Sequence, residues 1–174
     1  MKEQTIRSTA VERTFEEDEI IVSKTDLKGI ITYANRTFLN VAMYTEDEIL
    51  GKPHSIVRHP DMPRCVFKLL WDTLEGGNEI FAYVKNMAKN GAFYWVFAHV
   101  TPTFDPSRNI VGYHSNRRKP DRNQVQIVEE LYRKLKQEEA RHSDWKKGMA
   151  AATEILLQTV AATKMQYDEF VLSI

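Results

Sequence analysis

One short segment concentrates polar chemistry between apolar stretches of this chain: His54-Ser55-Ile56-Val57-Arg58-His59-Pro60-Asp61-Met62-Pro63. It carries two imidazoles, a guanidinium and a carboxylate together with two prolines. Because proline fixes φ and lacks a backbone donor, the segment cannot be the interior of a helix. We therefore predict a short, stiff connection whose polar side chains are aimed by the backbone toward something that they hold.

The sequence before this segment predicts a β-hairpin followed by short helices. Two β-branched runs, Ile20–Val22 and Ile30–Ala34, flank the turn residues Asp26–Gly29. Asn35 is placed to cap a short helix, and Thr45–Glu48 has the residue types of a capping box for another helical turn.

The sequence after the segment predicts a helix and three strands. Proline at its start and a Gly-Gly pair at its end bound a helix over Pro63–Leu74. Aromatic and β-branched residues predict strands over Ile80–Met87, Phe93–Phe104 and Ile110–Asn116. Two strands, short helices and three strands together predict an α+β fold, with a five-stranded antiparallel sheet and helices on one face.

Changes in texture divide the chain into three parts. Residues 1–17 are polar and predict a mobile lead-in, cap or short docking helix, and residues 18–120 form the predicted domain. Residues 121–174 are helical in pattern and form a C-terminal extension. A stripe at helical spacing runs from Trp145 to Phe170, which suits either packing back on the domain or binding a partner helix.

Composition narrows the class of protein. Of 174 residues, 24 are Lys or Arg and 24 are Asp or Glu, and this balance argues against a nucleic-acid partner. A single cysteine, Cys65, excludes an intramolecular disulfide framework. The most hydrophobic window, 149–165, is interrupted by polar and charged residues, so we expect no membrane span. With no signal peptide in these residues, we expect a cytoplasmic protein.

Several local strings, together with the order of elements, carry a resemblance to a known family. They span roughly residues 18–135, and the combination of RHPDMP with KNxxKNGxxYWV is far more specific than the fold alone. The strings are Thr25-Asp26-Leu27, Tyr33-Ala34-Asn35-Arg36-Thr37-Phe38, Gly51-Lys52-Pro53-His54, Val57-Arg58-His59-Pro60-Asp61-Met62-Pro63, Leu70-Trp71-Asp72-Thr73-Leu74, Val84-Lys85-Asn86, Lys89-Asn90-Gly91 and Tyr94-Trp95-Val96. They resemble the PAS domain of bacterial aerotaxis (Aer-type) receptors.

The resemblance implies a PAS sensor domain at 18–120 that binds FAD noncovalently and reports redox or oxygen status for energy taxis. Similar stand-alone PAS proteins are the sensory half of two-piece systems. We therefore expect signalling in trans, through the extension 121–174, to a membrane-bound chemoreceptor-type transducer. PAS domains often pair through flanking helices, so a homodimer is compatible with the resemblance. The chain departs from the family pattern at Gly77-Asn78-Glu79-Ile80, where similar receptors carry a tryptophan, and at Met87-Ala88, which replaces a basic pair.

Four candidate cofactor-binding residues lie in the proline-bounded segment. Arg58 offers a forked, permanently charged donor for phosphate or ring carbonyl oxygens, and His59 offers a second donor. Both match positions that similar receptors need to keep their flavin. Asp61 could orient either residue or cap the following helix. His54 could contact the cofactor or only pack.

Five further candidates lie on the predicted strands and helices. Asn35 is both a helix N-cap and a family position beside the cofactor, and Asn86 is an amide on a strand that is otherwise largely apolar. Because strand residues alternate, Lys85 must face away if Asn86 faces the cofactor. The aromatic candidates for walls around the ring are Phe67, Trp71 and Trp95.

Other functions remain open at this point. A haem sensor could use His54 or His59 as the axial ligand, and a cofactor-free PAS interaction module needs neither residue. A blue-light sensor needs a reactive cysteine beside the flavin, whereas the context of Cys65 suits a small buried residue. An enzyme is the weakest reading, because no metal-ligand or acid–base spacing with a third partner recurs. We expect no metal site.

Overall fold

Five strands form one antiparallel sheet in the computed structural model, which describes residues 7–174. The strands are β1 (Ile21–Thr25), β2 (Ile31–Ala34), β3 (Ile80–Met87), β4 (Phe93–Phe104) and β5 (Ile110–Arg118). They pair in the order β2-β1-β5-β4-β3, so the first hairpin joins the last strand in the middle of the sheet. This arrangement confirms the predicted α+β fold class.

Six helices accompany the sheet within residues 7–174: α1 (Arg36–Ala42), α2 (Glu46–Ile49), α3 (Arg64–Glu75), α4 (Arg122–Ala140), α5 (Trp145–Ala162) and α6 (Tyr167–Ser173). The predicted caps are confirmed. Asn35 Oδ1 accepts the N–H of Phe38 at the start of α1, and Thr45 and Glu48 form the capping box of α2.

Strand alternation gives the sheet two different faces. The inner face includes Ser23, Asn86, Ala98 and Arg117 and looks toward a cavity roofed by α3. The outer face packs against α4, where Tyr132 donates a hydrogen bond of 2.7 Å to the carbonyl oxygen of Tyr83. The α3 helix and its neighbours thus cover one face, and the extension covers part of the other.

The proline-bounded segment closes the free edge of β3. It begins as a 3-10 turn, His54–Val57, and then Arg58 forms an isolated antiparallel bridge with Asn86. Farther along, the Lys85 N–H points at the sulfur of Met62 at 3.2 Å. An edge strand otherwise exposes unpaired donors and acceptors, so the segment both protects the edge and walls the cavity there.

The extension packs back on the domain, which decides between the two interpretations of the helical stripe. Ala152, Leu156 and Val160 of α5 are buried in the main core. The stripe is not one continuous helix, as its spacing suggested, because the chain turns at Lys164 (φ +60°) before α6 begins. Gly148 permits the close α4–α5 approach, since a Cβ there would lie 2.5 Å from the Glu139 carbonyl oxygen.

The N-terminal lead-in is extended where the structure describes it. Residues 1–6 of the predicted 1–17 part lie outside the described residues. Val11 accepts the N–H of Phe93 and Arg13 donates to the Phe93 carbonyl, so the segment runs alongside the start of β4. The alternative of a docking helix is therefore wrong for residues 7–17, because pairing with the strand satisfies the backbone there.

No helix in the described part of the chain is long and apolar enough to span a membrane.

Candidate cofactor cavity

A cavity of about 340 Å³ lies between the inner face of the sheet and α3. Four strands, β1, β3, β4 and β5, supply its floor, and α3 and the 3-10 turn supply its opposite walls. Its volume falls within the roughly 300–1,000 Å³ of typical ligand pockets, toward the lower limit. The size suits a flat ring system better than a complete dinucleotide.

The walls of the cavity are largely aromatic and aliphatic. Phe67 and Trp71 line one side, and the Trp71 ring meets Tyr113 edge-on, with 5.3 Å between the ring centroids. Gly29 (φ +74°) lets the β1–β2 turn approach, because a Cβ there would lie 3.3 Å from the Trp71 ring. The Arg58 guanidinium sits over the Phe67 ring at 4.0 Å, so the cavity joins apolar walls to a cationic rim.

The floor of the cavity holds a buried arginine with incomplete hydrogen bonding. Arg117 is only 5% exposed, and its Nη2 donates to Ser23 Oγ at 3.0 Å and to His54 Nε2 at 2.7 Å. Its Nη1 has no partner among residues 7–174, and neither has the Oγ of Ser115, a residue that is 6% exposed. Buried polar atoms are rarely left unpaired, and both of these atoms belong to residues that line the cavity.

His54 is neutral in this arrangement. Arginine can only donate, so His54 Nε2 must accept and the ring proton lies on Nδ1. Burial and the adjacent Arg117 charge lower the pKa of His54 from 6.5 to about 3. His54 therefore supplies no positive charge near neutral pH.

The cavity is cationic as a whole. Burial lowers the pKa of Arg117 to about 10, which still leaves it charged near neutral pH. Lys28 and Arg58 also line the cavity, whereas no Asp or Glu is among its lining residues. Such a site favours a ligand that carries acceptor atoms or negative charge.

The structure brings five of the predicted site residues together at this cavity: His54, Arg58, Phe67, Trp71 and Asn86. Alternation along β3 sends the neighbouring Lys85 to the outer face, where its Nζ lies 2.9 Å from Asp61 Oδ2 and 3.5 Å from Glu129 Oε1. Contact between these five residues and a cofactor stays a prediction.

His59 and Asp61, which were predicted to contact the cofactor, do not line the cavity. His59 is 2% exposed and directed away from it, with Nε2 2.6 Å from Ser8 Oγ and Nδ1 accepting the Asp61 N–H. Burial lowers the pKa of His59 despite the nearby Asp61. Asp61 pairs with Lys85 and does not cap α3, whose N-cap position is Pro63. The side chains diverge because Arg58 and His59 are neighbours in extended backbone.

Asn35 and Trp95 also lie outside the cavity lining. Asn35 Oδ1 accepts the N–H groups of Val22 and Phe38, and Nδ2 donates to the Ile20 carbonyl, so its amide is engaged in the fold. Trp95 lies on the outer face against Tyr132, with ring centroids 6.2 Å apart. Both residues therefore have structural roles.

Ser23, Ser115 and Arg117 are the functional candidates that sequence reasoning missed. The last predicted strand, Ile110–Asn116, ends two residues before the end of β5, which continues to Arg118. The period of two from Tyr113 through Ser115 would have placed Arg117 on the inner face.

The other cofactor chemistries find less support in this geometry. His54 Nε2 is bound to Arg117 and His59 Nε2 contacts Ser8, so haem ligation would first have to break these contacts. Cys65 does not line the cavity, and burial together with Glu139 raises the pKa of its thiol to about 12. Among residues 7–174, no group of three or more His, Cys, Asp or Glu could hold a metal ion.

Known proteins with similar sequences and structures agree with this fold. A family profile described as the PAS fold matches residues 31–117. The aerotaxis receptor of Escherichia coli K12 is 43% identical over 119 residues, which cover 68% of this chain and 23% of the receptor. The biofilm dispersion protein BdlA of Pseudomonas aeruginosa is 32% identical over 81 residues, 46% of this chain and 19% of BdlA. The chain therefore spans less than a quarter of either relative.

Among solved structures, the dark and light states of the blue-light photoreceptor Aureochrome1 LOV domain are similar to this chain. The light-state structure superposes with a TM-score of 0.56 at 26% identity, over 62% of this chain and 87% of that one. The likeness extends the sequence match to three dimensions.

Proposed function

We propose that this chain, which belongs to the PAS-fold family, binds FAD and serves as a sensor of redox or oxygen status for energy taxis. The observation that carries the proposal is the cavity itself, which combines a flat aromatic wall with a cationic lining that contains no carboxylate. The similarity to the aerotaxis receptor of Escherichia coli supports the same assignment.

The residues present fit a flavin. Phe67 and Trp71 would wall the ring, and the amide of Asn86 would serve its donor and acceptor edge. Arg58 and Lys28 would meet phosphate oxygens where the remainder of FAD leaves the cavity. When bound, the flavin supplies reversible two-electron redox chemistry, and the protein supplies binding, orientation and electrostatics.

A connection from the cavity to the helical extension runs through adjacent residues of β3. Asn86 faces the cavity, whereas Lys85 faces outward and pairs with both Asp61 and Glu129 of α4. A change in the hydrogen bonding of Asn86 would be transmitted along β3 to this ion cluster. A partner equilibrium shifts tenfold for about 1.4 kcal/mol, which one or two reoriented hydrogen bonds could supply.

We propose a sensor rather than an enzyme, acting in the cytoplasm on a membrane-bound chemoreceptor-type transducer. The histidine at the cavity is neutral and already bonded to Arg117, and no carboxylate lines the cavity to act as an acid or base. The transducer would recognise α4, α5 and α6, whose outward surfaces are solvent-exposed.

A visible absorption spectrum of the purified protein, before and after incubation with FAD, tests the ligand. Flavin bands at about 450 nm support the proposal, because the absorption is a property of the cofactor that the protein only tunes. Acid release and chromatography then separate FAD from FMN. A Soret band would show that the protein binds haem instead of a flavin. If neither spectrum appears after reconstitution, the protein is a cofactor-free interaction module.

Binding to a cytoplasmic transducer fragment tests signalling in trans. The affinity is measured by fluorescence anisotropy with the flavoprotein fully oxidised and fully reduced under anaerobic conditions. We expect at least a tenfold difference, corresponding to about 1.4 kcal/mol of differential binding. Equal affinities in the two states would contradict signalling by flavin reduction.

A further inference from the structure

We infer that Arg117 and Ser115 form an acceptor-binding pair on the cavity floor that favours the reduced, more negative state of the flavin ring and thereby sets its midpoint potential. This inference rests on the proposed function and deepens it. It assigns a role to two residues that lie beyond the proline-bounded segment.

The first support is a pair of unpaired buried donors on two residues that line the cavity. Arg117 and Ser115 are adjacent on the inner face of β5, both are at least nine-tenths buried, and both line the cavity. Arg117 Nη1 and Ser115 Oγ have no partner among the described residues. An unmet buried donor destabilises the folded protein, and an acceptor atom of a ligand in the cavity would relieve that cost at both residues.

The second support is that the guanidinium is held in place. Ser23 Oγ and His54 Nε2 both bind Nη2, and the Phe38 ring lies 5.6 Å from the guanidinium carbon. These contacts fix one side of the group and leave Nη1 on the other. A donor that is already oriented loses little conformational entropy when a ligand binds.

The third support is the absence of a counter-charge in the lining. His54 is neutral, and no carboxylate borders the cavity. A buried cation without an anionic partner is costly, and it strongly attracts any negative charge that enters its low-dielectric surroundings. The positive charge of Arg117 is therefore available to the ligand.

Reduction supplies that negative charge. When bound, the neutral oxidised ring would take up two electrons and one proton from a two-electron reductant, and the reduced ring would then carry one negative charge. Arg117 stabilises this charge by Coulomb attraction, and Ser115 adds a hydrogen bond to an acceptor atom. Tighter binding of the reduced state than of the oxidised state raises the midpoint potential.

The test compares two neighbouring arginines. Arg117→Gln removes the buried charge, whereas Arg118→Gln removes an exposed charge from the next residue of β5, on the outer face. Arg117→Lys restores charge without the forked donor, and Ser115→Ala removes only the hydroxyl. Each variant is reconstituted with FAD, its affinity is measured by fluorescence titration, and its potential is measured by dye equilibration with dithionite as reductant.

We expect Arg117→Gln to lower the ratio of reduced-state to oxidised-state affinity at least tenfold, which equals about 30 mV for a two-electron couple. Arg117→Lys should recover most of this shift, and Arg118→Gln should match the wild type. Ser115→Ala should weaken FAD binding several-fold while leaving the apoprotein as stable or more stable, because it removes an unpaired buried hydroxyl. That combination distinguishes a ligand contact from a structural role, even if Arg117→Gln folds poorly.

Two outcomes would overturn the inference, and only the first of them would also refute the proposed function. A folded wild type that takes up no flavin refutes the proposed function and the inference together. A wild type that binds FAD, while both Arg117→Gln and Ser115→Ala have the affinity and potential of Arg118→Gln, refutes the inference alone.

Discussion

The two faces of the sheet each bury one cation, and the surroundings of the two cations differ. Lys85 on the outer face contacts the carboxylates of Asp61 and Glu129, and the Phe93 ring lies 4.5 Å from its Nζ. Arg117 on the inner face has a serine and a neutral histidine as partners and keeps one unpaired nitrogen.

The difference separates a buried charge that is paired within the fold from one that is available to a ligand. Buried charges are normally paired within the protein, and Lys85 follows this rule. Arg117 departs from it at the cavity, where the remaining partner would be a bound molecule. The outer groove beside Lys85 is larger, at about 640 Å³, but its acidic and basic side chains balance, so its size alone does not mark it as the cofactor site.

The largest expected effect is on the free energy of unfolding, and it is measured by making the same Leu→Ala substitution on the two sides of the sheet. Leu135 of α4 is fully buried in the main core, whereas Leu70 of α3 borders the cavity. Leu135→Ala should lower the free energy of unfolding by about 3–4 kcal/mol and Leu70→Ala by about 2 kcal/mol, since Leu70 already borders a cavity on one side. Urea unfolding of the apoproteins measures both values, and equal losses would contradict an open cavity.

The second effect is on FAD affinity when a larger side chain fills the cavity on the inner face. Ala98 is 1% exposed and lines the cavity, so Ala98→Trp should fill it and weaken FAD binding at least ~100-fold, or ~2.7 kcal/mol. Phe97→Trp is the control, because Phe97 is half-buried on the outer face. Fluorescence titration measures both affinities. Unchanged binding in a folded Ala98→Trp protein would place the ligand elsewhere.

The third effect is pH-dependent. The folded pKa of His54 is lowered to about 3, so in acid the unfolded chain binds a proton that the folded apoprotein excludes. This contribution to stability is complete above the unfolded pKa of about 6.5 and decreases as the pH falls toward 3, with a slope of at most about 1.4 kcal/mol per pH unit.

The measurement is urea unfolding of the apoprotein at pH 7, 6 and 5. Burial also lowers the pKa of His59, which acts in the same direction, so His54→Gln and His59→Gln are compared separately. His54→Gln should flatten the pH dependence and keep an acceptor for Arg117. The same slope in His54→Gln and the wild type would show that His54 is charged in the folded protein.

The smallest effect concerns the outer ion cluster. The Glu129 side chain is 56% exposed, and solvent screens its pairing with Lys85. Glu129→Gln should therefore change the free energy of unfolding by less than about 1 kcal/mol and leave FAD affinity unaltered. Thermal or urea unfolding and a FAD titration check both parts. A loss of flavin binding would contradict the assignment of the ligand to the inner face alone.

Sequence reasoning identified the strands, the caps and part of the cavity. Asn35 and the Thr45–Glu48 box were predictable because each cap depends on residues only three positions apart. Asn86 and Lys85 could be assigned to opposite faces by alternation. The same alternation places Arg117 on the inner face, but the charged run from Arg117 to Lys119 is also typical of a polar link between a strand and a helix.

Other differences from the predicted arrangement come from contacts between distant parts of the chain. His59 and Trp95 were predicted beside the cofactor, yet His59 contacts Ser8 and Trp95 contacts Tyr132. No local pattern shows which segment will cover the outer face. The spacing of the helical stripe likewise fits either packing on the domain or binding a partner helix, and only the burial of α5 in the core distinguishes the two.

Local chemistry in the sequence was enough for the element order, the caps, the turns and the stiffness of the proline-bounded segment, because these depend on neighbouring residues and backbone geometry. The site required the tertiary structure. Pairing of β1 with β5 brings Ser23 to Arg117 across 94 positions, and packing against the 3-10 turn adds His54. A buried arginine with an unpaired nitrogen is defined by its surroundings, and only the packed fold supplies those.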